Sequence, residues 1–183
     1  MNTEVNLIIK ELEESMSFIS TEEIDFFIEK LQKSRRVIVV GVGRVMISLK
    51  SWVKRFNHLE VDINYFGSET EENVNEDDLI IIASSSGESL IPVSIAKKAK
   101  SLGTKVYYIG CTKDSSVFKM ADYQLLLKGK TKFNLENEFE SQQPMSTLFE
   151  QQLMILGDAI ALRMIRLKDL DIDEIKLRHA NLE

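Results

Sequence analysis

Apolar residues fall into two rhythms along this chain, and the changes between them outline its elements. Ile8, Leu12, Met16 and Ile19 recur at helical spacing, as do Ile24, Phe27, Ile28 and Leu31, so residues 3–18 and 22–33 are predicted helices. Ser20 or Thr21, with Glu23 behind it, supplies the start signal of the second. The rhythm then breaks into short apolar runs at Val37–Val40, Ile63–Phe66, Leu79–Ala83, Lys105–Gly110 and Tyr123–Leu127. Runs of this kind suit parallel strands covered on both faces. Helical stretches separate them at about 44–57, 90–102 and 115–120, and Gly103 ends the second of these.

This alternation predicts an α/β fold: a three-layer α/β/α sandwich around a five-stranded, mostly parallel sheet in a flavodoxin-like arrangement, with right-handed crossovers. Residues 1–34 form an N-terminal helical arm and 35–128 the parallel core. Residues 129–145 are polar without periodicity and read as a loop, with Glu136, Glu138 and Glu140 on alternate positions. A long helix, Ser146–Leu167, is apolar nearly all round, and residues 146–183 close with a short helix at Asp173–Leu177 and a tail. Two leading helices and this apolar helix carry more apolar surface than one small sheet covers. A homo-oligomer, dimer or tetramer, is therefore expected.

Composition narrows the function classes. At 183 residues and 44% hydrophobic content, the chain suits one domain spanning 1–183. A net charge of -6 offers no general basic field for nucleic acid. One Cys and two His make neither an internal disulfide nor a structural zinc site, and no metal is expected. That usage fits the reducing cytoplasm. Met1-Asn-Thr-Glu-Val5 lacks the order of a signal peptide, and Asp158 and Arg163 interrupt the long helix, so no membrane partner is expected.

Chemistry concentrates where Leu79–Ala83 runs into Ser84-Ser-Ser-Gly-Glu-Ser89. Ser84, Ser85 and Ser86 each offer a hydroxyl, Gly87 lets the backbone turn closely, Ser89 can cap the next helix, and Pro92 fits its first turn. Such a turn binds anions, phosphate foremost, although Ser89 also reads as an ordinary cap. Val37–Gly43 leads into Arg44 in the same way. A dinucleotide turn fits this second site poorly: Met46 stands where a third glycine belongs, and Asp62 begins the next strand instead of ending it.

Glu150 is the candidate general base, in the first turn of a helix driven into the core. Thr147-x-x-Glu150 also fits a capping box in which Glu150 merely accepts from the Thr147 backbone N–H, and sequence leaves both open. His58 and His179 are candidate proton shuttles. Arg44, Arg55 and Arg178 can pair with phosphate, while Cys111 reads as a small buried hydrophobe.

Together, Gly41-Val-Gly-Arg44, Arg55-Phe-Asn-His-Leu59, Ser84–Ser89, Pro144-Met-Ser-Thr-Leu-Phe-Glu-Gln151 and Arg178-His-Ala-Asn-Leu-Glu183 resemble sugar isomerase (SIS) domains and, within them, the 6-phospho-3-hexuloisomerases. The resemblance spans nearly the whole chain. It implies a cytoplasmic, cofactor-free enzyme, often a homotetramer, that interconverts 3-hexulose 6-phosphate and fructose 6-phosphate through a cis-enediol. Such an enzyme acts beside hexulose-6-phosphate synthase in the ribulose monophosphate pathway of formaldehyde metabolism. Carried over by position, Ser84, Ser86 and Ser89 hold the phosphate, Gly43 and Arg44 line the site, Glu150 is the base, and His179 or His58 assists. Three stretches depart from the family pattern. Gly-x-Gly-Arg-Ser-Gly reads Gly41-Val-Gly-Arg-Val-Met46, Ser-Gly-Ser-Gly-Glu-Thr reads Ser84-Ser-Ser-Gly-Glu-Ser89, and Gly-Glu-x-Thr-x-Pro reads Gly67-Ser-Glu-Thr-Glu-Glu-Asn73. A non-catalytic phosphosugar sensor built on the same turn stays open as the alternative.

Overall fold

In the computed structural model, which describes residues 2–133, 138–179 and 181, the apolar runs become β1 (Val37–Val40), β2 (Ile63–Tyr65), β3 (Leu79–Ala83), β4 (Lys105–Gly110) and β5 (Tyr123–Leu126). All pairings are parallel, in the order β2-β1-β3-β4-β5. Val37 sits opposite both Ile63 and Leu79, so β1 and β3 are central neighbours in register. From β1 the chain crosses to β2 on one side, and from β3 to β4 on the other. A crevice opens where those directions diverge, above the carboxyl ends of β1 and β3.

Side chains alternate across the sheet as strand geometry requires. Val37, Val39, Leu79, Ile81 and Tyr107 face the helices α2 (Thr21–Lys33), α3 (Arg44–Asn57) and α6 (Thr147–Lys168). Ile38, Val40, Ile80, Ile82 and Tyr108 face α4 (Leu90–Ser101) and α5 (Ser116–Met120). Three layers result. The leading helix α1 (Thr3–Met16) packs on α6, and Ser20 and Glu23 complete a reciprocal capping box at the start of α2.

The packing that matters most for the site is that of α3 on α6. A Cβ at Gly157 would lie 2.2 Å from Trp52 Nε1, so glycine is what allows this approach. The indole N–H donates to the Leu153 carbonyl at 2.7 Å, and the Ser48 hydroxyl to the Glu150 carbonyl at 2.8 Å. These bonds fix the register of the two helices, bringing their amino ends side by side. Element ends differ slightly from the periodicity. β2 stops at Tyr65, although the Phe66 N–H still bonds the Val39 carbonyl, and α7 (Ile172–Lys176) starts one residue early because Asp171 caps it. Glu136 and the closing Ala180, Leu182 and Glu183 lie outside the described residues.

Candidate active site

The crevice between β1 and β3 holds a cavity of about 250 Å³. The β1 turn brings Gly43 and Arg44 to it, the β3 turn brings Ser84, Ser85, Ser86 and Ser89, and the start of α6 brings Ser146 and Glu150. Gly43 has φ 57°, which lets α3 begin without a side chain over the cavity.

The serine turn is held by its own hydroxyls. Ser84 Oγ accepts the Gly87 N–H at 3.1 Å, and Ser86 Oγ accepts the Glu88 N–H at 3.3 Å. The Ser84 hydroxyl is directed at Ser89 Oγ, while that of Ser86 keeps its hydrogen for an acceptor in the cavity. Beneath the turn, the Tyr108 hydroxyl donates to the Ser84 carbonyl at 3.0 Å. Burial raises the Tyr108 phenol well above its usual range, so it remains a neutral donor. Gly87 is required here: its φ is 66°, and a Cβ would meet Ser115 Oγ at 2.1 Å. Ser89 occupies the N-cap position of α4, but its hydroxyl caps nothing and lies 3.5 Å from Ser84 Oγ.

Glu150 resolves the ambiguity left by its motif. The Thr147 N–H bonds the Pro144 carbonyl, so Glu150 closes no capping box with Thr147. Its carboxylate instead accepts from Arg44 Nε on one oxygen and from the Ser146 hydroxyl, at 3.2 Å, on the other. Glu150 is buried, with 11% of its side chain exposed, whereas Arg44 is 67% exposed. A buried acceptor thus meets a solvent-exposed guanidinium at the mouth of the cavity.

His58 and His179 are elsewhere in the same chain. His58 follows the last residue of α3, a 14-residue helix that begins at Arg44, and therefore lies roughly 20 Å from the cavity. The two imidazoles pack with centroids 5.3 Å apart, beside Arg178, which pairs with Glu60 at 2.7 Å. Asp62 pairs with Arg36, and burial pushes the Cys111 thiol up, leaving it a neutral thiol. Val45 lines the cavity where the family pattern has a serine, while Met46 packs against the core.

Several residues at the cavity were not singled out as candidates from the sequence. Ser146 precedes Glu150 by one helical turn, a spacing that could have drawn notice. Lys132 and Met145 also line the cavity, from a stretch without periodicity. That stretch is fastened to α1 by buried Glu11, which accepts from Ser141 Oγ at 2.6 Å, the Gln142 N–H at 2.8 Å and Gln143 Nε2 at 3.0 Å. Burial opposes ionisation of Glu11, but these bonds and nearby Lys130 outweigh it and hold the carboxyl below its usual range. A larger cavity of about 960 Å³ adjoins Glu11, yet its lining includes Glu11, Glu14, Glu138 and Glu140 against Lys10 and Lys130. An anion is disfavoured there. Among the described residues no group of three or more His, Cys, Asp or Glu could hold a metal ion, and no helix is long and apolar enough to cross a membrane.

A hydroxyl-rich turn, an arginine and a buried carboxylate thus meet at the switch point of a parallel sheet, the place where α/β folds bind their ligands. Residues 30–161 match the SIS domain model, and the chain belongs to the SIS domain family. A 3-hexulose-6-phosphate isomerase of Bacillus subtilis is 34% identical over 176 residues, covering 96% of this chain and 95% of the relative. Its counterpart in Methanocaldococcus jannaschii is 29% identical, with 87% and 84% covered. A Methanococcus jannaschii crystal structure, inferred to be a 3-hexulose-6-phosphate isomerase, superposes with TM-score 0.85 at 26% identity and full coverage of both chains.

Proposed function

We propose that this chain is a phosphosugar isomerase that interconverts 3-hexulose 6-phosphate and fructose 6-phosphate, with Glu150 as its base. The observation that carries the reading is the placement of Glu150, held off the helix cap and aimed into the cavity that the serine turn lines. The substrate class is supported by the names of the relatives.

In this mechanism the phosphate rests on the hydroxyls of Ser84, Ser86 and Ser89, and its binding energy positions the distant carbonyl carbons. Glu150 removes the proton from C2 of the 3-ketose, and electrons move to the C3 oxygen, giving a cis-2,3-enediolate whose C2 hydroxyl passes its proton to the adjacent C3 oxygen. The protonated base then returns its proton to C3 as the C2 oxygen, now negative, re-forms a carbonyl. Arg44, already beside Glu150, stabilises negative charge as it develops on oxygen. No net oxidation occurs, and the step calls on no cofactor.

The reading includes an oligomer in the cytoplasm, acting beside a hexulose-6-phosphate synthase. Phe18, Phe26, Ile47, Ile155 and Leu162 are exposed apolar residues available for subunit contacts. His58 and His179 are remote from their own cavity and His58 is buried, so it is His179, on the tail, that would assist by reaching a neighbouring subunit's site. The test is incubation with fructose 6-phosphate in deuterium oxide, followed by proton NMR. Loss of the C3 proton signal is expected. Exchange at C1 instead would point to an aldose–ketose isomerase, and binding without exchange to a sensor.

A further inference from the structure

The cavity's charges do not match the phosphosugar assigned to it unless one more residue takes part. Among the described residues that line it, the charged ones are Arg44, Lys132 and Glu150. Arg44 and Glu150 pair with each other and cancel. The serine hydroxyls are neutral donors, whereas a phosphomonoester carries about -1.5 to -2 at neutral pH. The chain as a whole, at -6, repels such a dianion.

Lys132 is the remaining cation. It is exposed, and its ammonium lies 5.2 Å from the Phe133 ring centroid. Among the described residues no carboxylate pairs with it. Its neighbours on the same stretch are committed differently: Lys130 Nζ donates to the Ser141 carbonyl at 3.2 Å, and Thr131 Oγ1 bonds Glu138. With Glu11 fastening residues 141–143, the stretch is tied down on its far side while Lys132 faces the cavity.

We infer that Lys132 is the phosphate-recognising cation of this site, supplying the countercharge that the serine turn lacks. It divides the work with Arg44, which stays with Glu150 at the reacting end. A compact ammonium on a flexible stem suits this task, because it follows a phosphate as a point charge. The inference rests on reading the cavity as a phosphosugar site.

Lys132→Gln, Lys132→Arg and the unaltered chain are compared at low salt, using calorimetry with inorganic phosphate and fructose 6-phosphate, and steady-state turnover. Lys132→Gln is expected to raise Kd for both ligands and KM by about tenfold, with kcat changed less than about threefold and melting unchanged. Lys132→Arg restores most of the affinity. Raising the salt weakens the unaltered chain toward the glutamine variant. A Lys132→Gln variant with Kd and KM within about twofold of the unaltered chain, or a loss confined to kcat, overturns the assignment. Lysine-dependent binding without turnover would uphold Lys132 and sink the isomerase reading alone. Binding of neither ligand to the unaltered chain would overturn both.

Discussion

The two ends of α3 are built from similar residue types and arranged to opposite effect. At its amino end, Arg44 meets the buried Glu150 beside a turn of hydroxyls, where strand ends open a crevice. At its carboxyl end, His58 meets His179 while Arg178 is tied to Glu60 and to the His58 carbonyl, in a pocket that also draws on Lys50 and Lys54. Both ends offer cations. Among the described residues, the first alone sets a buried carboxylate and several hydroxyl donors against them, which is what proton transfer on a bound phosphosugar requires. Titratable residues alone therefore do not make a site, because the chemistry depends on which acceptor the fold buries beside them.

Replacing Glu150 should separate the ends most sharply. Glu150→Gln is expected to lower kcat by about 10²–10⁴-fold, the range of a lost general base, with little change in melting because Gln can still accept from Ser146. Unchanged turnover would return Glu150 to a structural role. The next effect concerns the remote end. When Glu150→Gln and His179→Ala chains are mixed under subunit exchange, about a quarter of the sites should regain both intact residues if the tail reaches a neighbour. Recovery of activity is the expected result, and none despite confirmed exchange would leave the two ends functionally separate.

Ser86→Ala and Ser89→Ala should each weaken fructose 6-phosphate binding by about 1.5–3 kcal/mol, read as KM or calorimetric affinity, without unfolding the chain. Equal affinities would remove the hydroxyls from the site. The smallest effect on activity is expected from Glu11, which does not line the cavity between β1 and β3. Glu11→Gln should cost about 1.5–3 kcal/mol of stability at neutral pH by weakening three charge-assisted bonds. The Glu11 carboxyl is depressed in the folded state, so its contribution is present above the unfolded value and lost as pH falls through the folded one. Denaturation curves of the two chains should thus converge in acid, and a gap that persists there would count against the clamp.

Much of the sheet was legible because a short apolar run between polar turns has few other uses in a chain of this length. The serine turn was legible for a similar reason, since Ser84–Ser89 adjoins such a run directly. Glu150 was visible as a candidate but not decided, for a capping box and a site carboxylate share one spacing. What tells the two apart is a local bond from Thr147 to Pro144 together with a contact from Arg44, 106 residues away, that no spacing announces. Lys132 and Glu11 were invisible: one lies in a loop without periodicity, and the other looks like any polar residue on an amphipathic helix. Their significance arises from contacts across long sequence separations, such as Glu11 with Ser141. The histidines show the reverse case, conspicuous by type yet placed at the far end of α3.

The claim that the amino end of α3 is where the sugar binds is tested most directly by a crystal structure of the chain with fructose 6-phosphate. The phosphate should lie against the hydroxyls of Ser84, Ser86 and Ser89, with C3 about 3–3.5 Å from a Glu150 carboxylate oxygen. A phosphate bound instead among Lys50, Lys54 and Arg178, with the crevice between β1 and β3 unfilled, would contradict it.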